Sequence, residues 1–306
     1  KTLSKIIEKI KQSPIIAEAT PNFLSSIMEI AEANTQVQWN LQAPPGGVDA
    51  TTTWAYFTRG APHSTIAVLD TGIVSHEALD PNVLPGVHFT NAGDYGLSAR
   101  PSCIECAGAT HGTMVAGIIA ATGEVAYGEP LFGVAPHSTV IPINVFTQFN
   151  DQKTCGAPPC IYSYVSDQIN ALQWLAGDDF PGLPPPSKNI VGINMSFGNV
   201  TACPLAVTRV LHQLQQLGIS VVVAAGNQNI DASRDYPANC PNVIAVAATG
   251  LYGERASYSN WGKSVTIAAP GGNGQHGIYC PMVDGYRYIQ GTSFAAPHVS
   301  GVIALL

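Results

Sequence analysis

Apolar residues recur along this chain with two different periods. Up to about Asn34 the spacing is helical for Leu3, Ile6, Ile7 and Ile10; Pro14 then opens a short extended run over Ile15, Ile16 and Ala17, and Leu24, Ile27, Met28 and Ala31 return to helical spacing. From Gln38 onward, short continuous apolar runs alternate with helical ones. The runs predict strands at residues 65–69, 140–145, 190–195, 219–225, 243–248 and 265–268, closing in loops that carry Gly or Asn. Helices are predicted between them at 113–121, 163–176 and 204–217. A last helix begins near Ser293 and carries Val299, Val302, Ile303, Leu305 and Leu306. Strand, helix, strand in this order implies an α/β fold with a mostly parallel sheet covered by helices, and functional residues at the C-terminal ends of the strands. Residues 176–187, rich in Pro, predict an exposed insertion.

Composition narrows the class. The chain has 306 residues, of which 46% are hydrophobic and only 11% charged, with 30 Gly and 23 Pro, so it is a compact, loop-rich globule and neither disordered nor a coiled coil. A net charge of -7 with no basic stripe argues against a nucleic-acid partner. No apolar run reaches the roughly 18 residues of a membrane span. Seven cysteines point to disulfides and an oxidising compartment, with one thiol left over or paired outside the chain. The expectation of secretion rests on those cysteines, because no leader is read at Lys1. Cys103 and Cys106 followed by His111 could seed a zinc site, but no second pair completes four ligands. His76-Glu77 fails the HExxH pattern at Asp80, so the metal ligands are unknown.

Four short stretches carry candidate chemistry. The strand at 65–69 runs into Asp70 beside a Gly turn, where a carboxylate can orient an imidazole or simply bond its own turn. His111 opens the helical stretch HGTMVAG, and Asn227 closes the strand at 219–225 in AAGN, as a donor to developing negative charge or as an ordinary Asx turn. In GTSFAAPHVSG, Ser293 stands at a helix N terminus, where it is either a cap or a nucleophile beside unpaired backbone N–H groups. Together an Asp, a His, an amide and a Ser at strand mouths and helix starts are the parts of an acyl-transfer site. Their order, Asp70 then His111 then Ser293, is the order given for subtilisin and not that of α/β-hydrolases. No G-x-S-x-G elbow is present, since Ser196 has Asn194 where Gly is needed.

AVLDTGI, HGTMVAG, NMSFG, AAGN and GTSFAAPHVSG, in this order, resemble the subtilase serine peptidases over residues 38–306. The resemblance implies a subtilisin-like fold, a mostly parallel central sheet with helices on both faces. It implies a secreted serine endopeptidase with Ser293 as nucleophile, His111 as general base, Asp70 as its orienting carboxylate, and Asn227 with the Ser293 N–H as oxyanion hole. Protein or peptide substrate would pair with Ser196, Phe197 and Gly198, and Ala225, Gly226 and Asp235 would line a specificity pocket. An Asp at 235 favours Lys or Arg in that pocket if its carboxylate is unpaired, and not if it pairs with Arg234 or another cation or points to solvent. Residues 1–36 resemble the end of an inhibitory propeptide, which would be an intramolecular inhibitor cut from a 37–306 peptidase domain somewhere between Asn22 and Gln38. The resemblance also implies further structure after Leu306. Cys203 and Cys240 fall on neighbouring elements of the family and are expected to pair; Cys103, Cys106, Cys155 and Cys160 would form two local or two crossed bridges, leaving Cys280. Glu77 and Ala78 replace the pattern of the family's calcium site, so a structural calcium stays open, with none required for the chemistry. A monomer is expected.

Overall fold

A computed structural model describes residues 22–27, 38–123, 130–187 and 189–306. The elements expected over residues 3–10 and 15–17 lie outside the described residues. In chain order the strands and helices are β1 (Leu24–Ile27), α1 (Ala50–Tyr56), β2 (Thr65–Asp70), β3 (Val87–Thr90), β4 (Asp94–Gly96), α2 (His111–Ala120), β5 (Thr139–Asn144) and β6 (Thr147–Phe149). They continue with α3 (Gln152–Cys155), β7 (Cys160–Tyr164), α4 (Val165–Leu175), β8 (Ile190–Met195), β9 (Phe197–Gly198), α5 (Leu205–Gln216) and β10 (Ser220–Ala224). The last are β11 (Ile244–Thr249), β12 (Ile267–Pro270), β13 (Ile278–Met282), β14 (Gly285–Ile289) and α6 (Thr292–Leu305).

Eight strands form the central sheet in the order β12-β11-β10-β8-β2-β5-β3-β4, parallel throughout except where β4 turns back on β3. The apolar runs read from the sequence are its middle strands. They are apolar without alternation because both faces are buried. On one face Ala67, Leu69, Ile193, Met195, Val221 and Val223 pack with Leu172 of α4 and Leu211 of α5; on the other, Ile66 and Val68 meet Val115 and Ile119 of α2, and Val222 and Val246 meet Ala295 and Ala296 of α6. The fold is the α/β architecture with helices on both faces that the sequence implied.

Helix α6 crosses β2, β8, β10, β11 and β12 and also touches α2. Ala295 and Ala296 are the small residues that face the strands, and Gly301 lets Val134 of the loop before β5 pack against the helix, since a Cβ there would sit 2.6 Å from the Val134 Cβ. Its polar side chains are satisfied inside. His298 Nδ1 donates to the Phe294 carbonyl at 2.7 Å and Nε2 accepts from Asn40 Nδ2 at 2.8 Å, while Ser300 Oγ donates to Asn194 Oδ1 at 2.9 Å. Beneath the start of α6, Phe294 packs with Trp39, Met114, Cys280 and Ile289.

One expectation is overturned. Of the helix expected from the spacing of Leu24, Ile27, Met28 and Ala31, residues 24–27 instead form β1, the third strand of a small antiparallel sheet ordered β6-β7-β1-β9, while Met28 and Ala31 lie outside the described residues. Leu24 lies opposite Tyr164 and Ser25 opposite Ser163, while Ser26 lies opposite Gly198 and Ile27 opposite Phe197. Two strand edges thus satisfy the backbone of β1, which outweighs a weak local helix propensity. The cysteines pair locally as Cys103–Cys106 and Cys155–Cys160, and Cys203 pairs with Cys240; Cys280 is buried in β13 outside these three bridges. The 103–106 bridge removes the zinc reading. Among the described residues no three His, Cys, Asp or Glu side chains converge as a metal site, and no helix is long and apolar enough to cross a membrane.

Burial of His298 makes a testable mark on stability. Desolvation pushes its pKa from 6.5 down to about 4, against the bond to the Phe294 carbonyl, which raises it. The unfolded chain therefore takes up this proton first, so the stabilising contribution of neutral His298 is full above pH 6.5 and is lost as pH falls through 6.5 toward 4. Between pH 7 and pH 4.5 the unfolding midpoint of the wild type should fall more than that of His298→Gln, measured by circular dichroism; equal falls would contradict the assignment.

Candidate active site

Because the sheet is parallel, β2, β8 and β10 end on one side, and α2 and α6 begin there. Asp70 is the last residue of β2 and His111 the first of α2. His111 Nδ1 lies 2.8 Å from Asp70 Oδ1 and 3.0 Å from Oδ2, with both side chains 0% exposed. A carboxylate only accepts, so Nδ1 carries the proton and Nε2 is the basic nitrogen. Asp70 Oδ1 also accepts the Thr71 N–H at 2.7 Å. Thr71 Oγ1 donates to the Ala109 carbonyl and accepts the Gly112 N–H, both at 3.0 Å, which fastens the turn after β2 to the start of α2. Gly112 is needed for this approach: a Cβ there would lie 2.4 Å from the Gly72 carbonyl oxygen and 3.1 Å from the Asp70 Cβ.

Ser293 is the second residue of α6, where backbone N–H groups lack intrahelical acceptors. The His111 ring lies 5.6 Å from that of Phe294, the next residue along. The Ser293 hydroxyl donates to the Ser196 carbonyl at 2.9 Å, and Ser196 Oγ donates back to the Ser293 carbonyl at 2.8 Å. These bonds seat the end of β8 on the start of α6.

Asn227 lies three residues after β10. Its Oδ1 accepts from the Thr292 N–H at 2.9 Å and from Thr292 Oγ1 at 2.8 Å, so the amide is turned with Nδ2 outward; Nδ2 is buried without a hydrogen-bond partner. An oriented, unpartnered N–H beside a hydroxyl and a carboxylate-held imidazole can stabilise an oxyanion formed when that hydroxyl attacks a carbonyl.

The segment carrying Asn227 is held by Asn260, which is fully buried. Asn260 Nδ2 shares its two hydrogens among the Ala225 carbonyl, Gln228 Oε1 and Asp235 Oδ2, all within hydrogen-bond distance, while its Oδ1 accepts the Gln228 and Ile230 N–H groups. Gly226 adopts φ 103°, and a Cβ there would fall 2.0 Å from Asp235 Oδ2. Asp235 is buried; desolvation pushes its carboxyl up to about 7, against the Asn260 hydrogen bond, which lowers it. Its Oδ1 has no partner.

Of the predicted site residues, Asp70 and His111 are in contact, and Asn227, Ser293 and Ser196 are tied together through Thr292 and the Ser196–Ser293 pair. Phe197 and Gly198 pair with β1 through their backbone, while the Phe197 ring belongs to the core, edge-on to Phe146 at 5.7 Å. Gly226 lies against the Asp235 carboxyl, and the Ala225 carbonyl accepts from Asn260 Nδ2. Sequence reasoning missed Thr71, Thr292 and Asn260. The two threonines stand beside Asp70 and Ser293 in DTG and GTS, so adjacency to a motif was their only signal; Asn260, in SYSNWG, carried none. At the acidic side chains weighed for calcium, Glu77 accepts from the Tyr286 hydroxyl at 3.3 Å, and Asp231 caps the turn Ala232–Arg234 through the Ser233 N–H.

The profile of the Subtilase family matches residues 62–306. The chain is 34% identical over 292 residues to the "Extracellular protease" of Xanthomonas campestris, covering 88% of this chain and 48% of that protein. It is 35% identical over 271 residues to the "Extracellular basic protease" of Dichelobacter nodosus, covering 79% and 42%. It thus spans about half the length of these relatives. Among solved structures, proteases from Pseudoalteromonas arctica superpose with a TM-score of 0.73 at 33% identity, covering 88% of this chain and 84% of that one.

If Gly112 is what permits the His111–Asp70 contact, Gly112→Ala should break it. In histidine-labelled protein the wild type should show a slowly exchanging Nδ1–H proton signal from His111, absent in the variant; a retained signal would show that the backbone adapts.

Proposed function

Because the chain belongs to the subtilase family, we propose that it is a serine endopeptidase that cleaves proteins or peptides through an acyl-enzyme on Ser293. In the ground state Asp70 fixes the His111 tautomer. The Ser293 hydroxyl exchanges its bond to the Ser196 carbonyl for one to His111 Nε2 and attacks the peptide carbonyl, its proton passing to Nε2. Asp70 stabilises the imidazolium, and Asn227 Nδ2 with the Ser293 N–H receives the oxyanion. Collapse breaks the C–N bond, the amine leaving with the proton from His111. Water then repeats the sequence on the ester and releases the acid. Every group required is a protein side chain or backbone N–H, so the reaction needs no cofactor. The buried Asn227 Nδ2, oriented by Thr292 and without a partner, carries the reading most directly.

Substrate binds as an extended strand, and β1 supports this by pairing antiparallel with β7 and β9 on a line toward Ser196 and Ser293. The same segment is anchored upstream. Asn22 Oδ1 accepts the Ser166 N–H at 2.9 Å, the Val165 N–H donates to the Phe23 carbonyl at 3.0 Å, and Asn199 Nδ2 donates to the Leu24 carbonyl at 2.8 Å. Residues 1–36 are read as a propeptide remnant of a 37–306 peptidase domain, cut between Asn22 and Gln38, and β1 is its described part. Three disulfides, together with the extracellular names of the relatives, support a secreted enzyme.

A fluorophosphonate probe should label Ser293, mapped by peptide mass spectrometry, and Ser293→Ala should neither be labelled nor hydrolyse casein. Asn227→Leu should keep the label but lose about 10²–10³ in kcat. Labelling elsewhere, or casein hydrolysis surviving in Ser293→Ala, would refute the mechanism.

A further inference from the structure

Next to the Asp70 turn lies a buried amide that takes no part in the chemistry. Asn144 ends β5 in register with Asp70 at the end of β2, and the Val145 N–H donates to the Asp70 carbonyl at 3.0 Å. Asn144 is 2% exposed. Its side chain leaves the sheet for residues 99–102, a strap that leads from β4 to the Cys103–Cys106 bridge and on to His111. Asn144 Nδ2 donates one hydrogen to the Arg100 carbonyl at 2.8 Å and the other to Ser102 Oγ at 3.1 Å. Ser102 Oγ donates in turn to the Phe146 carbonyl at 2.6 Å, and Asn144 Oδ1 accepts the Phe146 N–H at 2.9 Å. Both hydrogens and the oxygen are thus committed, which fixes the amide in one orientation.

The strap supports the turn that carries Asp70. The Ala99 carbonyl accepts the Ile73 N–H at 2.9 Å, and a Cβ at Gly72 would lie 2.3 Å from that carbonyl oxygen. Ala99 is also tight against Gly86, where a Cβ would lie 2.6 Å from the Ala99 Cβ. A second set of bonds ties the same turn to α2, through Thr71 Oγ1 and through the Val74 N–H, which donates to Thr113 Oγ1 at 2.9 Å. Residues 70–74 are therefore held by two elements, the start of α2 and the strap. Asn144, together with Ser102, is what fastens the strap to β5.

We propose that Asn144 is a positioning residue for the Asp70–His111 pair, acting through the strap. Removing its amide takes both donors from the strap and the acceptor from the Phe146 N–H, so the strap and the turn beside it can drift from β5. The effect falls on the chemical step, because the bonds of Asn144 do not include β7 or β9, where peptide pairs. The inference rests on the peptidase reading for its effect on rate, and on geometry alone for its effect on the histidine.

Asn144→Ala should lower kcat on a chromogenic peptide about ten- to a hundred-fold while KM changes less than about three-fold. In histidine-labelled protein with a wild-type circular dichroism spectrum, the slowly exchanging Nδ1–H signal of His111 should be lost. An unchanged kcat or a retained signal would show that the amide serves stability alone and would overturn the inference. If Asn144→Ala does not fold, Ser102→Ala takes its place, removing one acceptor of Nδ2 and the bond to Phe146. It should lower kcat about three- to ten-fold and speed exchange of the same proton; wild-type values of either would overturn the inference. The proton signal does not depend on turnover, so the two readings fail separately. Casein hydrolysis persisting in Ser293→Ala sinks the peptidase reading and leaves the signal to decide the role of Asn144, whereas a retained signal in Asn144→Ala sinks that role alone.

Discussion

The burial of α6 is the constraint on which the rest of the structure depends. A helix running beneath five parallel strands can lie that close only with small residues on its surface, and Ala295 and Ala296 meet that need. Its polar groups must be matched from outside. Asn40 reaches in to His298 and Asn194 to Ser300, so the helix is fixed in rotation as well as in depth. Its N terminus consequently emerges where β2, β8 and β10 end. Ser293 and Thr292 are held there by Ser196 and Asn227, and a shift of α6 would move the hydroxyl and the amide together. Shifts of about 1 Å at such sites cost roughly 10²-fold in rate, which explains why so many bonds converge on two residues.

A second constraint comes from open strand edges. β7 and β9 each present backbone donors and acceptors toward the space between them, and a single strand inserted there satisfies both. In this structure β1 is that strand. Any extended peptide can use the same ladder, because its backbone provides the pairing whatever its side chains are. Selectivity must then come from the side chains beside the ladder.

The sequence disclosed most of this through periodicity and through punctuation at strand ends. Strands buried on both faces, such as Thr65–Asp70 and Ile244–Thr249, are uninterrupted apolar runs and were legible almost to the residue, as were α4 and α5. Asp70, His111, Asn227 and Ser293 were legible as candidates because each stands at, or within three residues of, an end of such an element. β1 was not, because its spacing is equally compatible with a helix and only β7 and β9, more than a hundred residues away, decide between them. The short strands Val87–Thr90, Cys160–Tyr164 and the hairpin of β13 and β14 escaped for the same reason, being defined by partners and not by runs. Asn260 was invisible because its function lies in five hydrogen bonds to a loop some thirty residues earlier in the chain. Whether Asp235 was paired or exposed could only be read in three dimensions.

The central claim is that α6 and the strand ends assemble a working site whose first substrate is the segment already lying in the cleft. Its most direct test is to follow the intact mass and N terminus of the purified protein during incubation at several concentrations. The account predicts a new N terminus between Asn22 and Gln38, appearing at a rate independent of concentration and absent in Ser293→Ala. A wild-type chain that stays uncut, or a cut that also appears in Ser293→Ala, would contradict it.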